Sequence, residues 1–322
     1  MRTLVMGAGA IGSVFGGFLA GAGHSVTLVG REPHMRQVRE KGLRITGIWG
    51  DHDVAIERCF ASAQGLADAG EQFDLVLITV KSHDTEEAAE AVRPLLTDES
   101  LVVSLQNGLG NTEKIAERVG WERTLTGMVI FGVEHRHPGR VSVTVQADAV
   151  RIGALHRQIE AERIGALARL ISGAGIQCEH SPDIQRFLWN KVLYNCALNP
   201  LATILGSTYG FLLTTEPTRE IMRRVIDEAF QVAWAVRAEM FHETPEQYER
   251  HLFENLIPPT AAHHPSMLQD IEKGKRTEID ALNGAIVRLG RESQITCRTN
   301  QTLVDLIHAI ETTRGQNRPT VG

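Results

Sequence analysis

The chain has 322 residues, of which 43% are hydrophobic and 22% charged, and its formal net charge is -6. At about 100–200 residues per domain, this length predicts two domains of an ordinary globular protein. The negative net charge argues against a basic surface that recruits nucleic acid or an anionic membrane. An anionic substrate must therefore be bound by a few well-placed groups.

Apolar runs such as Leu75 to Val80 are much shorter than the ~20 residues that a transmembrane helix needs. The start of the chain imitates a secretion signal only weakly, because five glycines from Gly7 to Gly17 interrupt its apolar stretch. The cysteines lack CxxC spacing, which predicts reduced thiols and no disulfide framework; they are Cys59, Cys178, Cys196 and Cys297. We expect a soluble cytoplasmic protein.

The first thirty residues have the pattern of a dinucleotide-binding βαβ unit. A strand is predicted from Thr3 to Met6, a helical pattern follows, and Ser25 to Val29 reads as a second buried strand. Between the first strand and the helix, glycines permit a tight turn, close approach of a pyrophosphate to the backbone, and close packing of the helix on the sheet. The predicted cofactor-binding residues are Gly7, Gly9, Ala10, Ile11 and Gly12.

The end of the second strand indicates which dinucleotide is bound. NAD sites place Asp or Glu there to accept hydrogen bonds from the ribose, whereas a guanidinium suits the 2′-phosphate of NADP. Here Gly30 and Arg31 follow the strand. We favour NADPH/NADP with Arg31 as a ligand, although Glu32 is a competing ribose ligand and Arg31 has the alternative role of a solvated residue at a helix start.

Residues 1–178 are predicted to form an α/β Rossmann-type domain with a parallel, doubly wound sheet. Helices are predicted from Thr85 to Val92 and near Ile159 to Ile171. Further strands are predicted at Leu43 to Thr46, Val54 to Glu57, Phe73 to Val80, Leu101 to Leu105, Gly127 to Val133, Val141 to Val145 and Val150 to Gly153, with a hairpin turn at residues 137–140.

Polar residues follow two of these strands, as Thr79-Val80-Lys81 and Gln106-Asn107-Gly108. Ligands of open α/β sheets bind outside the carboxyl ends of the strands. We therefore predict that Lys81 and Asn107 lie where nicotinamide and substrate meet. A solvated lysine and an ordinary Asn-Gly turn are the alternatives.

Residues 179–322 are predicted to form an all-α domain. Lys191, Asn195 and Asn199 recur every four residues and so share one face of a helix. Because asparagine is a poor helix former, this stripe indicates a polar cleft rather than a solvent-exposed face. The predicted helices run from Ile184 to Leu198, Arg219 to Met240, Pro245 to Leu256 and Glu278 to Glu292.

A second polar cluster contains Ser266 and Glu278. Ser266 has the alternative role of a helix cap, and Glu278 that of a cap or of a surface ion-pair partner of Arg276. No metal site is predicted, because the paired histidines lack acidic or cysteine partners at ligand spacing; they are His135, His137, His263 and His264. Cys196 has no histidine nearby as a base and is expected to pack in the core.

These motifs together resemble the ketopantoate reductase (2-dehydropantoate 2-reductase) family over nearly the whole chain, because their order and spacing are far more specific than any one of them. The matching segments are Gly7-Ala8-Gly9-Ala10-Ile11-Gly12, Thr79-Val80-Lys81, Gln106-Asn107-Gly108, Lys191-x-x-x-Asn195-x-x-x-Asn199-Pro200, and Ser266-Met267-Leu268-Gln269-Asp270 through Thr277-Glu278-Ile279-Asp280.

The resemblance implies reduction of 2-dehydropantoate to pantoate with NADPH, a step toward pantothenate and coenzyme A. It implies that Lys191 is the general acid and that Glu278 orients the substrate hydroxyl and the lysine. The substrate-binding residues it implies are Asn107, Asn195, Asn199 and Ser266.

A positioned cation lowers the barrier to hydride transfer, because negative charge builds on the carbonyl oxygen. Burial brings a lysine pKa toward neutrality, and a nearby carboxylate opposes that shift.

The chain departs from the family pattern at Ser207-Thr208-Tyr209, at His263-His264, and at residues 295–300, which lack prolines common in the family. These departures leave open a related reductase of a different small 2-keto acid. A homodimer is also left open, since a dimer interface and core packing explain one apolar helix face equally well; that face carries Val225, Phe230 and Trp234.

Overall fold

The computed structural model describes residues 1–316, and its chain divides into two compact units. The first unit comprises residues 1–106 and 110–184, and the second comprises residues 107–109 and the chain from Gln185 onward. The first is α/β and the second is helical, which confirms the predicted fold classes. The short segment from Asn107 to Leu109 is the part of this division that the sequence does not suggest.

The strands of the first unit are β1 Arg2–Met6, β2 Ser25–Val29, β3 Leu43–Gly47, β4 His52–Val54, β5 Cys59–Phe60, β6 Phe73–Ile78, β7 Leu96–Ser104, β8 Thr124–Met128, β9 Phe131–His137, β10 Arg140–Gln146, β11 Val150–Gly153 and β12 Cys178–His180. Eight of them form one sheet with the order β12-β11-β8-β7-β6-β1-β2-β5. Neighbouring strands are parallel except for β8 and β11. The order β5-β2-β1-β6-β7-β8 is that of a Rossmann sheet and reverses between β1 and β6.

The sequence-based domain boundary between residues 178 and 179 falls inside β12. This strand pairs in parallel with β11 and so stays with the sheet, and the division in the structure follows Ile184. A separate four-stranded sheet has the order β4-β3-β10-β9. The hairpin of β9 and β10 was expected, but the single strand predicted from Gly127 to Val133 is wrong, because β8 ends at Met128 and β9 begins at Phe131.

Apolar residues cover both faces of the large sheet. Leu4 and Val5 are neighbours in β1 and are fully buried in two separate apolar clusters, one containing Val92 and the other Phe15. This two-sided burial explains why the strands are continuous apolar runs. The helices of this unit are α1 Ala10–Gly21, α2 Glu32–Lys41, α3 Gln64–Asp68, α4 Thr85–Val92, α5 Asn111–Val119 and α6 Ala161–Gly173, with short 3₁₀ turns at Ser82–Asp84 and Arg93–Leu95.

The second unit packs its helices around one apolar cluster. Val225 and Phe230 are fully buried in it, whereas Trp234 is 51% exposed, so core packing accounts for most of the apolar face. Among residues 1–316, no helix combines the length and apolar character that crossing a lipid bilayer requires. The helices are α7 Ile184–Leu205, α8 Glu216–Ala235, α9 Pro245–His251, α10 Ser266–Glu272, α11 Asn283–Glu292 and α12 Arg298–Gln316, with short turns at Gly210–Leu213, Leu252–Leu256, Pro258–Thr260 and Ile279–Ala281.

Helix α7 continues through Pro200, so the predicted end at Leu198 is wrong. Pro200 has no N–H, which leaves the carbonyl of Cys196 without its helical donor. Asn283, fully buried at the start of α11, donates its Nδ2 to that carbonyl at 3.1 Å. A side chain remote in sequence thus supplies the hydrogen bond that proline removes, and the helix that carries Lys191 continues beyond Pro200 to Leu205.

Candidate active site

The glycine turn of the first unit lies at the reversal between β1 and β6. Gly7 has φ +102°, and a Cβ there would stand 2.5 Å from the backbone nitrogen of Val80. Thr79 Oγ1 donates to the Gly7 carbonyl at 2.7 Å. A Cβ on Gly12 would stand 2.5 Å from the same hydroxyl oxygen. Packing against the end of β6 therefore requires glycine at both positions.

Gly9 differs from these two glycines because the space beside it is open. A Cβ there would meet nothing nearer than the Gly7 carbonyl oxygen at 3.8 Å. Gly9 is the N-cap of α1, and the first turn of that helix, which includes Ala10 and Ile11, contains no acidic residue. The open approach to the unpaired N–H groups of a helix start suits the pyrophosphate of a dinucleotide.

Arg31 is exposed and forms the N-cap of α2, directly after the end of β2. The competing candidate, Glu32, lies 3.6 Å from the guanidinium of Arg39. Arg31 thus follows the end of β2, the strand end at which sheets of this type bind the ribose of a dinucleotide.

His34 is a buried residue near this site that sequence reasoning missed. One ring nitrogen lies 2.9 Å from Ser13 Oγ on α1, and the other, Nδ1, accepts from the backbone N–H of Gly139 at 2.8 Å. Burial, helped by the nearby His135 ring, lowers the pKa of His34 to about 4, so the ring is neutral. It ties α1 and α2 to the hairpin, and no local pattern in the sequence signals this role.

Lys191, Asn107 and Glu278 meet in the second unit. Lys191 Nζ donates to Asn107 Oδ1 at 2.9 Å, and Asn107 Nδ2 donates to Glu278 Oε2 at 3.3 Å. The amide of Asn107 thus uses its acceptor on the ammonium and its donor on the carboxylate, which fixes its orientation. Arg276, the alternative partner considered for Glu278, instead pairs with Asp280 at 2.8 Å.

Burial lowers the pKa of Lys191 to about 8, and the carboxylate of Glu278 acts in the opposite direction. The side chain is thus charged at neutral pH but gives up its proton far more readily than a solvated lysine. A group with these properties is suited to general acid catalysis.

Asn107 is placed by the two residues that follow it. Gly108 has φ +91°, and a Cβ there would stand 2.7 Å from the carbonyl carbon of Ala281. The N–H of Leu109 donates to the Ala281 oxygen at 2.8 Å. The segment 107–109 therefore packs against the turn after Glu278, and this contact brings two residues remote in sequence together.

The other predicted site residues occupy different surroundings. Lys191 and Asn195 are half-buried on α7, and Asn199, farther along the same stripe, is buried and accepts the hydroxyl of Tyr209 at 2.6 Å. Ser266 is exposed at the first position of α10, whose N-cap is Pro265, so the capping alternative for Ser266 is wrong. Lys81 is half-buried in the first unit, where it precedes the turn Ser82–Asp84.

Within residues 1–316, no three His, Cys, Asp or Glu side chains form a group that would hold a metal ion. All four cysteines are buried and free. Burial raises the pKa of the Cys196 thiol, which suits a core residue and not a nucleophile.

Comparison with known proteins identifies the family. The model of ketopantoate reductase PanE/ApbA matches residues 3–157, and that of the ketopantoate reductase PanE/ApbA C terminal matches residues 183–311. The chain is 39% identical over 312 residues to the 2-dehydropantoate 2-reductase of Aquifex aeolicus, covering 97% of each chain. It belongs to the ketopantoate reductase family. Members of this family are nicotinamide-dinucleotide-dependent reductases, and the chain is an oxidoreductase of this type.

Two solved structures extend the comparison within and beyond ketopantoate reductases. The PanE/ApbA family ketopantoate reductase from Ralstonia eutropha JMP134 is 33% identical, with a TM-score of 0.86 and coverage of 98% of this chain and 100% of that one. D-mandelate dehydrogenase, solved with NADH and anilino(oxo)acetate, is 26% identical, with a TM-score of 0.87 and the same coverage.

Two departures from the ketopantoate reductase pattern contact each other. The rings of Tyr209 and His263 are 5.3 Å apart between centroids, and the N–H of Tyr209 donates to the His263 carbonyl at 3.0 Å. Tyr209 also contacts Asn199. Two of the three sequence differences that leave the substrate open therefore lie together, and one of them, Tyr209, contacts an expected substrate-binding residue.

Proposed function

We propose that this protein reduces 2-dehydropantoate to pantoate with NADPH, a step toward pantothenate and coenzyme A. The observation that carries the proposal is the hydrogen-bonded arrangement of Lys191, Asn107 and Glu278, with the pKa of the lysine brought to about 8. The 2-dehydropantoate 2-reductases of Aquifex aeolicus and Pyrococcus abyssi, 39% and 34% identical, support the choice of substrate.

In this proposal Lys191 Nζ donates a proton to the carbonyl oxygen of the keto acid. Asn107 Oδ1 holds the ammonium in place, and Glu278 orients the substrate hydroxyl while it keeps the lysine charged. NADPH, when bound, supplies the hydride to the carbonyl carbon. Stabilising the developing negative charge on oxygen is the main contribution of the protein. Polar groups of the substrate are assigned to Asn195, Asn199 and Ser266.

The cofactor is assigned to the first unit. Its pyrophosphate is proposed to lie at the open space beside Gly9, against the start of α1. Arg31 is proposed to hold the 2′-phosphate, since the carboxylate of Glu32 is engaged by Arg39. Lys81 and Asn107 are proposed to contact the cofactor near the substrate. The surrounding residues assigned with them are Gly7, Ala10, Ile11 and Gly12.

The second candidate function is reduction of a different 2-keto acid. The contacts of Tyr209 with His263 and with Asn199 favour it, because one of these departures adjoins an expected substrate ligand. The similarity to D-mandelate dehydrogenase, which is named for a different 2-hydroxy acid, supports it as well.

Steady-state oxidation of NADPH and of NADH tests both candidates, with ketopantoate and a panel of branched, linear and aryl 2-keto acids. We expect the highest kcat/KM for ketopantoate with NADPH. Arg31→Ala should lower kcat/KM for NADPH by about 10–100-fold, the value of a charge-assisted hydrogen bond, and leave NADH nearly unchanged. Preference for another acid selects the second candidate, and equal use of both cofactors rejects the role of Arg31. No turnover with any acid rejects both functions.

A further inference from the structure

Tyr209 has an unusual position for a residue of an irregular segment. Its side chain is 4% exposed, and its hydroxyl donates to Asn199 Oδ1 at 2.6 Å. Burial raises the pKa of the phenol, so the hydroxyl keeps its proton and acts as a donor throughout the working pH range. The hydroxyl is therefore available as a donor to Asn199 under assay conditions.

This hydrogen bond favours one orientation of the Asn199 amide, because the reversed amide would donate to the phenol oxygen and take away the acceptor of a buried O–H. An asparagine amide presents an acceptor on one side and two donors on the other, and rotation by half a turn exchanges them. With Oδ1 held by the phenol, the donors of Nδ2 are the part left for a ligand. The carboxylate and carbonyl oxygens of a keto acid are acceptors, so this orientation suits them and the reversed one would repel them.

The backbone of Tyr209 is fixed as firmly as its side chain. Its N–H donates to the carbonyl of His263 at 3.0 Å, and the N–H of Gly210 donates to the carbonyl of Ala261 at 2.9 Å. The segment 261–263 leads directly into Pro265 and the start of α10. Tyr209 thus links the stripe on α7 with the segment that precedes Ser266, and its hydroxyl has little freedom to move away from Asn199.

We infer that Tyr209 is a positioning residue of the substrate site, which holds the Asn199 amide with its N–H donors toward the acceptor oxygens of the keto acid. The inference rests on the proposed function, because it assigns Asn199 to the keto acid. Tyr209 does not touch the reacting carbon in this scheme. Its contribution is to the affinity for the keto acid, not to hydride transfer or to cofactor binding.

The test is a double-mutant cycle of Tyr209→Phe and Asn199→Ala with Tyr194→Phe as the matched control. Tyr194 belongs to the same aromatic cluster, with its ring centroid 5.7 Å from that of Tyr209, but its hydroxyl contacts Thr260 Oγ1 at 3.0 Å. For each variant, KM and kcat are measured with ketopantoate and the best acid of the panel, with NADPH affinity and Tm measured alongside.

We expect Tyr209→Phe to raise KM for the keto acid about five- to tenfold, with kcat and NADPH affinity nearly unchanged, as loss of one orienting hydrogen bond predicts. In the Asn199→Ala background the same change should have no further effect on KM. Tyr194→Phe should behave as the wild type. The split between KM and kcat separates orientation from a general loss of structure, which Tm reports independently.

An unchanged KM in Tyr209→Phe overturns the inference, as does an equal KM increase in the presence and absence of the Asn199 side chain. The same increase in Tyr194→Phe would assign the effect to aromatic packing instead. These results leave the proposed function intact, since the wild-type enzyme still reduces the keto acid. A wild-type protein that neither reduces any keto acid nor gains thermal stability from one rejects the proposed function, and the inference with it.

Discussion

The glycine turn of the first unit and the lysine cluster of the second are built by opposite means. The turn works through missing side chains, since Gly7 and Gly12 pack against Thr79 and Val80 while Gly9 leaves open space at a helix start. The lysine cluster works through the side chains of Lys191, Asn107 and Glu278, each oriented by the next.

Because of this difference, the turn indicates only the class of cofactor, whereas the lysine cluster indicates the reaction. Backbone N–H groups recognise any pyrophosphate, so the turn indicates a dinucleotide but not a reaction. A half-buried lysine with its pKa near 8, beside a carboxylate, indicates proton donation to a developing anion. Changes in the two regions should therefore fail in different ways, one in cofactor affinity and the other in turnover.

The largest expected effect is that of Lys191→Ala. Removing the general acid should lower kcat by about 10²–10⁴-fold, while NADPH affinity, measured by fluorescence titration, stays near the wild-type value. Lys114→Ala is the matched control, since Lys114 pairs with Glu86 on the surface of the first unit at 3.1 Å and should leave both quantities unchanged. A wild-type rate in Lys191→Ala would remove the lysine from the mechanism and erase the contrast between the regions.

The same contrast explains which parts of the site could be predicted from the sequence. The glycine turn is contiguous, so residues 7–12 predict it from local spacing alone. The hydrogen bonds of the lysine cluster join residues 84 and 171 positions apart, and no local pattern contains them. Only the resemblance to a family placed these residues together, and it did not include Tyr209 or His34.

The helices were likewise predicted where local sequence signals define them and missed where contacts remote in sequence do. Helix α4, with its own start and a proline after its end, was predicted with the observed bounds, Thr85–Val92. Helix α12 was missed, because its first N–H groups are satisfied by a remote side chain: Glu228 of α8 accepts from the backbone of Thr299 at 2.8 Å and of Asn300 at 2.9 Å. Tertiary hydrogen bonds of this kind, like that of Asn283 at Pro200, have no signature in a local window.

A smaller effect is expected from Gly9→Ala at the N-cap of α1, compared with Gly21→Ala at the last residue of that helix. A Cβ fits beside either glycine without a clash, so both variants should fold, with Tm close to the wild-type value. The methyl group at position 9 should weaken NADPH binding about tenfold, because it occupies the space for the pyrophosphate, whereas Gly21→Ala should leave it unchanged. Equal NADPH affinity in the two variants would contradict the placement of the phosphates at Gly9.

The smallest expected effect is a shift in the pH dependence of the reaction, which should depend on the lysine cluster and not on the glycine turn. Lys191 must be protonated to act as an acid, so kcat/KM should be level at lower pH and fall as pH rises through about 8. Glu278→Gln removes the charge that raises this pKa, so the pKa should drop and the falling limb should move to lower pH, whatever the loss in rate. Asp280→Asn lies in the same segment but removes a partner of Arg276. It should leave the pKa of Lys191 and the position of the falling limb unchanged. Because the glycine turn contains no titrating group, a limb that stays in place in Glu278→Gln, or moves to higher pH, would show that the proton does not come from the lysine cluster.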